Sequence, residues 1–198
     1  GFHESEYGKP LERENFVASW AEIKKAITVF YENTGLWDLM KEAHQLIPQR
    51  PLTFKLDGIS LRAIPDVIGF SNGNPPMIID WKVHSRARKD YWLQLATYSI
   101  ALATCNPHKD WGTMPKINPC EVQLVEAQLL KNDMRKHFVS EEDIEDVEQL
   151  ISCSANDISL VMDGKKSEQL KPEDFQTASN PKTCQLCNFR KICWGGTQ

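Results

Sequence analysis

Residues 52–82 restrict the fold more than any other part of the chain, because four short apolar runs there are separated by turn signals too closely spaced to admit a helix. Leu52 to Leu56 reads as a strand, Asp57-Gly58 as a two-residue hairpin turn, and Ile59 to Ala63 as the returning strand. Val67 to Phe70 continues extended, and Ser71-Asn72-Gly73-Asn74 makes another turn. Met77-Ile78-Ile79 is then a short buried strand that ends at Asp80.

Helical patterns flank this β region. Phe16, Trp20, Ile23, Ile27 and Phe30 recur in steps of four and three, which places them on one face of a helix from about Arg13 to Tyr31. Asn33-Thr34-Gly35 stops that helix, and Leu36 to His44 is predicted to form a shorter one. Pro48 and Pro51 break the pattern before the strands begin. Asp90 to Ala103 reads as a helix closed off by Asn106-Pro107, and Glu121 to Leu130 as a further strand. Ser140 is expected to cap a helix starting at Glu141, with Asp143 in the capping-box position. From Lys171 onward the chain is rich in Pro, Asn, Ser and Thr and reads as a loop in need of an external clamp. This order predicts an α/β or α+β domain with a central sheet flanked by helices.

A length of 198 residues suits one domain with a real core. Its expected parts are N-terminal helices (1–50), a catalytic core (51–130), C-terminal helices (131–183) and a cysteine tail (184–198). No apolar run is long enough to span a membrane, no signal-peptide pattern opens the chain, and no internal repeat is found. The start at Gly1 reads as a processed, tagged or excised fragment. A net charge of -4 argues against a purely electrostatic nucleic-acid binder. It leaves a metal-dependent nuclease open, since a local basic patch can guide DNA on an acidic protein.

The chemistry centres on Asp66, Asp80 and Lys82. Residues i and i+2 of a strand share a face, so Asp80 and Lys82 project together while Trp81 points the other way. If the strands pair as a meander, Asp66 lies beside Asp80. Two carboxylates and an ammonium then converge at strand ends. Hard oxygen ligands of this kind hold Mg²⁺ or Mn²⁺, which can activate water and stabilise charge on a phosphate. The lysine can orient or deprotonate that water, or neutralise the transition state. A surface salt bridge uses the same residue types, so the spacing alone leaves both readings open.

Gln94 and Tyr98 are four apart and share a helical face, and the loop before them carries Arg86, Arg88 and Lys89. With the acidic pair they make a coherent phosphate-handling surface. Taken alone, Tyr98 reads as a core aromatic and Gln94 as a solvent-exposed residue. Six cysteines are present, of which Cys184, Cys187 and Cys193 cluster in the tail beside Phe189 and Trp194. Such spacing can bind zinc or an iron–sulfur cluster, although three thiolates are one short of a complete set. Cys105, Cys120 and Cys153 read as small buried apolar residues.

Ile64-Pro65-Asp66, Ile79-Asp80-Trp81-Lys82 and Gln94-Leu95-Ala96-Thr97-Tyr98 together resemble the RecB-type branch of the PD-(D/E)xK nucleases. That resemblance covers residues 52–103 directly, and the tail resembles the iron–sulfur members of the branch, the AddB-like and CRISPR adaptation nucleases. It implies a restriction-endonuclease-like core. Asp66, Asp80 and the backbone carbonyl of Trp81 would be metal ligands, and Lys82 the catalytic lysine. Gln94 and Tyr98 would position the DNA strand or the site itself. Family members often add a histidine from an upstream helix. Phe2-His3-Glu4 resembles that element and makes His3 the candidate, with His44 competing. The tail would hold a [4Fe-4S] cluster, with zinc as the alternative. No cysteine precedes Cys105 here, a departure from the family, whose fourth cysteine lies before the core.

The resemblance implies an intracellular deoxyribonuclease dependent on Mg²⁺ or Mn²⁺. It would be cytoplasmic, or nuclear or mitochondrial in a eukaryote. Single-stranded DNA or DNA ends are the expected substrate, and a helicase domain or subunit the expected partner. Two other readings stand beside it. One is a catalytically inactive DNA-binding or scaffold module of the same fold. The other is a zinc-dependent binding module built on the tail.

Overall fold

A computed structural model of the chain describes residues 12–83, 91–111 and 116–176, together with 178, 180, 183, 184, 187, 189 and 193. It divides into two compact units, Trp20–Cys153 and Gly1–Ser19 with Ser154–Gln198. Helix α1 is Arg13–Glu32, close to its predicted span. Within the larger unit, the Asn33 side chain caps α2 (Thr34–Lys41) by accepting the Leu36 N–H at 2.8 Å. The strands are β1 (Gln45–Pro48), β2 (Leu52–Leu56), β3 (Ile59–Ala63), β4 (Val67–Ser71) and β5 (Asn74–Lys82), then β6 (Gln123–Gln128) and β7 (Asp133–His137). Helix α3 (Tyr91–Thr104) links β5 to β6, and α4 (Glu141–Met162) follows β7.

β2 and β3 match their predicted bounds and pair as a separate hairpin. The turn between them has positive φ at both central residues, 48° at Asp57 and 80° at Gly58, the backbone that a two-residue hairpin demands. The main sheet runs β1-β4-β5-β6-β7, antiparallel throughout except for the parallel pair β5–β6. A parallel pair needs a crossover connection, and α3 lies within that connection. The architecture is the expected one: a mixed α/β fold whose central sheet is flanked by helices.

β5 is buried on both faces, which explains the unbroken run Met77-Ile78-Ile79. Ile78 belongs to the core formed with Ile68, Leu124, α3 and the buried side of α4 (Ile144, Val147). Met77 and Ile79 belong to the opposite core, with Val67, Val125, α2 and Ala26 of α1. Gly69 makes the second core possible, because a Cβ added there would lie 2.6 Å from Met77 Cε. On α1 the predicted apolar face is largely uncovered: Trp20, Ile23 and Ile27 are 51%, 47% and 52% exposed, and the helix packs through Ala26, Val29 and Phe30.

Two strands lie where the sequence predicts none. β1 ends on Pro48, tolerated because β1 is an edge strand. β7, at the other edge, reads Asp-Met-Arg-Lys-His and lacks apolar alternation. Ser140 caps α4 as predicted. Its Oγ accepts the Asp143 N–H at 3.1 Å, and Asp143 Oδ2 accepts the Ser140 N–H at 2.8 Å. The Ser140 N–H, together with the Ser140 hydroxyl donating to the same Oδ2 at 2.8 Å, holds the Asp143 carboxyl below the ordinary carboxylate range. Ser140→Ala is expected to lower stability by about 1 kcal/mol in urea denaturation. An unchanged midpoint would show that the cap contributes nothing here.

In the smaller unit α4 ends at Asp163-Gly164, both with positive φ. Lys165 Nζ then donates to Asp174 Oδ1 at 2.6 Å. Among the described residues no helix is long and apolar enough to cross a membrane.

Candidate active site

β4 and β5 pair with Val67 opposite Ile79, so Asp66 and Asp80 meet at the same end of the sheet. Asp66 is held from two sides. Its backbone carbonyl accepts the Gln49 N–H at 2.9 Å, and its Oδ2 accepts the Trp81 N–H at 2.9 Å. The expected juxtaposition of the two aspartates is therefore present, with β4 itself as the neighbour of β5.

Asp80 and Lys82 point to one face of β5, toward α3, and form an ion pair. Trp81 turns to the opposite face, where its ring meets Phe30 edge-on with centroids 5.5 Å apart. Lys82 Nζ also donates to Gln94 Oε1 at 2.7 Å, and Gln94 Nε2 donates to the Tyr98 hydroxyl at 2.7 Å. Asp80, Lys82, Gln94 and Tyr98 are thus one connected chain, in which the helix spacing of Gln94 and Tyr98 restrains the lysine. Gln94 is only partly buried, and it bonds to Lys82 and Tyr98 instead of standing free in solvent.

Asp80 is only 3% exposed. Burial pushes its carboxyl above the ordinary value of 3.8, Lys82 opposes that rise, and the nearby Asp66 and Glu126 carboxylates add to it. Burial also raises the Tyr98 phenol, helped by Asp80 and Asp66 and opposed by the Gln94 bond, so Tyr98 remains protonated at neutral pH.

Glu126 was no candidate at the level of sequence. The parallel ladder sets it opposite Asp80, and sets Gln128 opposite Lys82. Its oxygens accept from Gln128 Nε2 and lie 3.0 Å from His137 Nε2. A signal was available: Glu126 and Gln128 repeat the i, i+2 polar spacing of Asp80 and Lys82 inside an apolar strand.

Other candidates fall elsewhere. His44 donates its backbone N–H to Phe70 at the far end of β4 from Asp66, which removes it as a competing ligand. His3, Arg86, Arg88 and Lys89 lie outside the described residues. In the smaller unit the Cys187 N–H donates to the Cys184 carbonyl at 3.4 Å, and the Cys193 N–H to the Phe189 carbonyl at 3.0 Å. Of the cysteines read as buried, Cys105 is buried, Cys120 is half-buried and Cys153 is exposed. Cys153 sits on α4, past the residues through which that helix packs, which accounts for the difference.

Among the described residues no three His, Cys, Asp or Glu side chains are grouped to hold a metal ion. At Asp80 the counter-charge is the Lys82 ammonium. The donor set nevertheless fits a hard divalent cation. Asp80 Oδ2 is buried and has no hydrogen-bond donor beyond its ion pair with that ammonium, and Asp66 brings a second carboxylate to the same strand end.

The model of the PD-(D/E)XK nuclease superfamily matches residues 6–194. The restriction-endonuclease-like fold expected from the resemblance is the fold of that superfamily. No curated protein matches the chain. Among solved structures, the chain is similar to a protein from Eubacterium rectale provisionally named an exonuclease, with 16% identity and a TM-score of 0.45. That likeness covers 80% of this chain and 62% of the other, so this chain spans about three fifths of its relative's length. It is also similar to SSO0001, with 15% identity and a TM-score of 0.43 over 99% of this chain and 80% of that one.

Proposed function

We propose that this chain, which belongs to the PD-(D/E)XK nuclease superfamily, is a Mg²⁺- or Mn²⁺-dependent deoxyribonuclease acting on single-stranded DNA or DNA ends. The observation that carries the reading is the ion pair of Asp80 and Lys82, tied through Gln94 to Tyr98 on a buried strand end beside Asp66. A surface salt bridge needs none of that support.

In this reading Asp66 and Asp80 would hold the cation, with the Trp81 carbonyl as a further ligand. The bound cation supplies Lewis-acid stabilisation of charge on the phosphate and lowers the pKa of water. Lys82, held as the ammonium by Asp80 and oriented by Gln94, would orient the attacking water and offset negative charge on the phosphate. The protonated Tyr98 hydroxyl keeps Gln94 turned toward Lys82. Arg86, Arg88 and Lys89 contact the DNA backbone. Cys184, Cys187 and Cys193 contribute to a [4Fe-4S] cluster, or to a zinc site, that clamps the tail. A helicase is the partner that would deliver DNA ends.

The test uses labelled single- and double-stranded DNA with Mg²⁺, Mn²⁺ or chelator. Cleavage with metal and none with chelator is expected. A wild-type protein inactive under every metal would leave a non-catalytic DNA-binding module as the surviving reading. Iron, sulfide and zinc analysis of the same sample decides the tail, and finding none of the three would refute a cysteine metal centre. Tyr98→Phe deprives Gln94 Nε2 of its acceptor and is expected to lower kcat about tenfold with little change in KM. An effect on KM alone would instead assign Tyr98 to DNA binding.

A further inference from the structure

Glu126 and Gln128 are 1% and 2% exposed on a strand whose neighbours Val125 and Ala127 are apolar core. A carboxylate and an amide in the middle of a sheet are costly unless every polar atom is satisfied. Opposite them in the parallel ladder stand Asp80 and Lys82, and strand alternation puts all four side chains on one face.

The bonding within this group leaves two buried oxygens without a hydrogen-bond partner, Asp80 Oδ2, which has its ion pair with Lys82, and a second on β6. Glu126 accepts from Gln128 Nε2 through one oxygen and faces His137 Nε2 with the other. A carboxylate can only accept, so the Gln128 amide must turn its nitrogen to Glu126 and its oxygen away. That oxygen, Oε1, is buried and has no hydrogen-bond partner among the described residues. A buried carbonyl without a donor needs explanation. Here it sits across the ladder from the lysine of the acidic site.

We propose that β6 supplies the second wall of the divalent-cation site: Gln128 Oε1 is an oxygen ligand of the cation, and Glu126, held in place by His137, is the fixed negative charge that favours it. This rests on the reading of Asp66 and Asp80 as cation ligands. Glu126 is a positioning residue, since its two oxygens are already engaged by Gln128 and His137. A neutral amide oxygen and carboxylates are the donors a hard cation takes.

The test reads cation binding directly, as the loss of the free Mn²⁺ paramagnetic resonance signal on titration with the full chain, without DNA. Glu126→Gln and Gln128→Met are each expected to weaken Mn²⁺ binding about tenfold or more. Gln128→Glu, which keeps an oxygen and adds charge, is expected to bind Mn²⁺ more tightly than the wild type. Thermal unfolding in chelator establishes which variants fold. Affinities within twofold of the wild type in every folded variant overturn the proposal, and so does a Gln128→Glu protein no tighter than the wild type. If the wild type binds no Mn²⁺, the cation site at Asp66 and Asp80 fails with it. If the wild type binds Mn²⁺, Asp80→Asn does not and the β6 variants bind normally, only the second wall is lost.

Discussion

Asp80→Asn is expected to reduce DNA cleavage by about a thousandfold or more, while leaving the metal-free protein at least as stable as the wild type. The two effects share one cause. Asp80 is buried beside two other carboxylates, Asp66 and Glu126, and the Lys82 ammonium only partly offsets this. Its carboxyl therefore titrates higher in the folded chain than its ordinary 3.8. A carboxyl raised on folding favours the folded state at low pH and loses that contribution as pH rises through the raised value. Metal-free wild type should accordingly weaken as pH rises past about 4 and through the folded pKa, and Asn at this position removes that part of the profile. Cleavage assays and urea denaturation in chelator, at pH 4.5 and 7.5, check both halves. Activity within tenfold of the wild type would sink the site assignment. A large loss of stability would make Asp80 a structural ion-pair partner instead.

Lys82→Met should behave differently in stability while also abolishing most activity. Asp80→Asn leaves Lys82 with its Gln94 bond, whereas removing Lys82 takes away the cation that offsets the Asp66 and Glu126 carboxylates beside Asp80. A buried charge left uncompensated in this way costs about 3–5 kcal/mol. Lys82 and Asp80 side chains are 11% and 4% exposed, so the full penalty applies. Lys82→Met is expected to lose about that much stability at neutral pH and to regain it at low pH, where Asp80 accepts a proton. Its cleavage rate should fall about a hundredfold or more. Asp80→Asn combined with Lys82→Met should recover most of the stability and none of the activity. A double variant as unstable as Lys82→Met alone would show that the lysine supports the fold through packing of its stem. In that case Gln94, its other partner, becomes the group to examine.

Much of the fold is legible in the order of residues alone. Asp57-Gly58, Ser140 with Asp143, and the bounds of β2 and β3 are local: each depends on a turn, a cap or an alternation within a few residues. The edge strands are not legible in this way. β7 has one apolar residue in five, because an edge strand in water needs no apolar row, and Pro48 at the end of β1 reads as a breaker until the strand is known to lie at an edge. The apolar stripe of α1 is legible as a stripe, but its largely exposed state is not, because periodicity places side chains on a face without saying what covers it.

The candidate site divides along the same line. By itself the sequence determined that Asp80 and Lys82 share a face and that Gln94 and Tyr98 share a helical side, since both follow from the periods of strand and helix. It also determined that β5 carries its charged residues after a run too apolar for any surface strand. Only the tertiary structure decided that Lys82 is held by Gln94, that the Asp66 side chain accepts the Trp81 N–H, and that Glu126 and Gln128 stand opposite Asp80 and Lys82. The last pairing crosses a parallel ladder closed through α3. Parallel register is set by how a crossover packs against the sheet, and no local pattern along the chain encodes it.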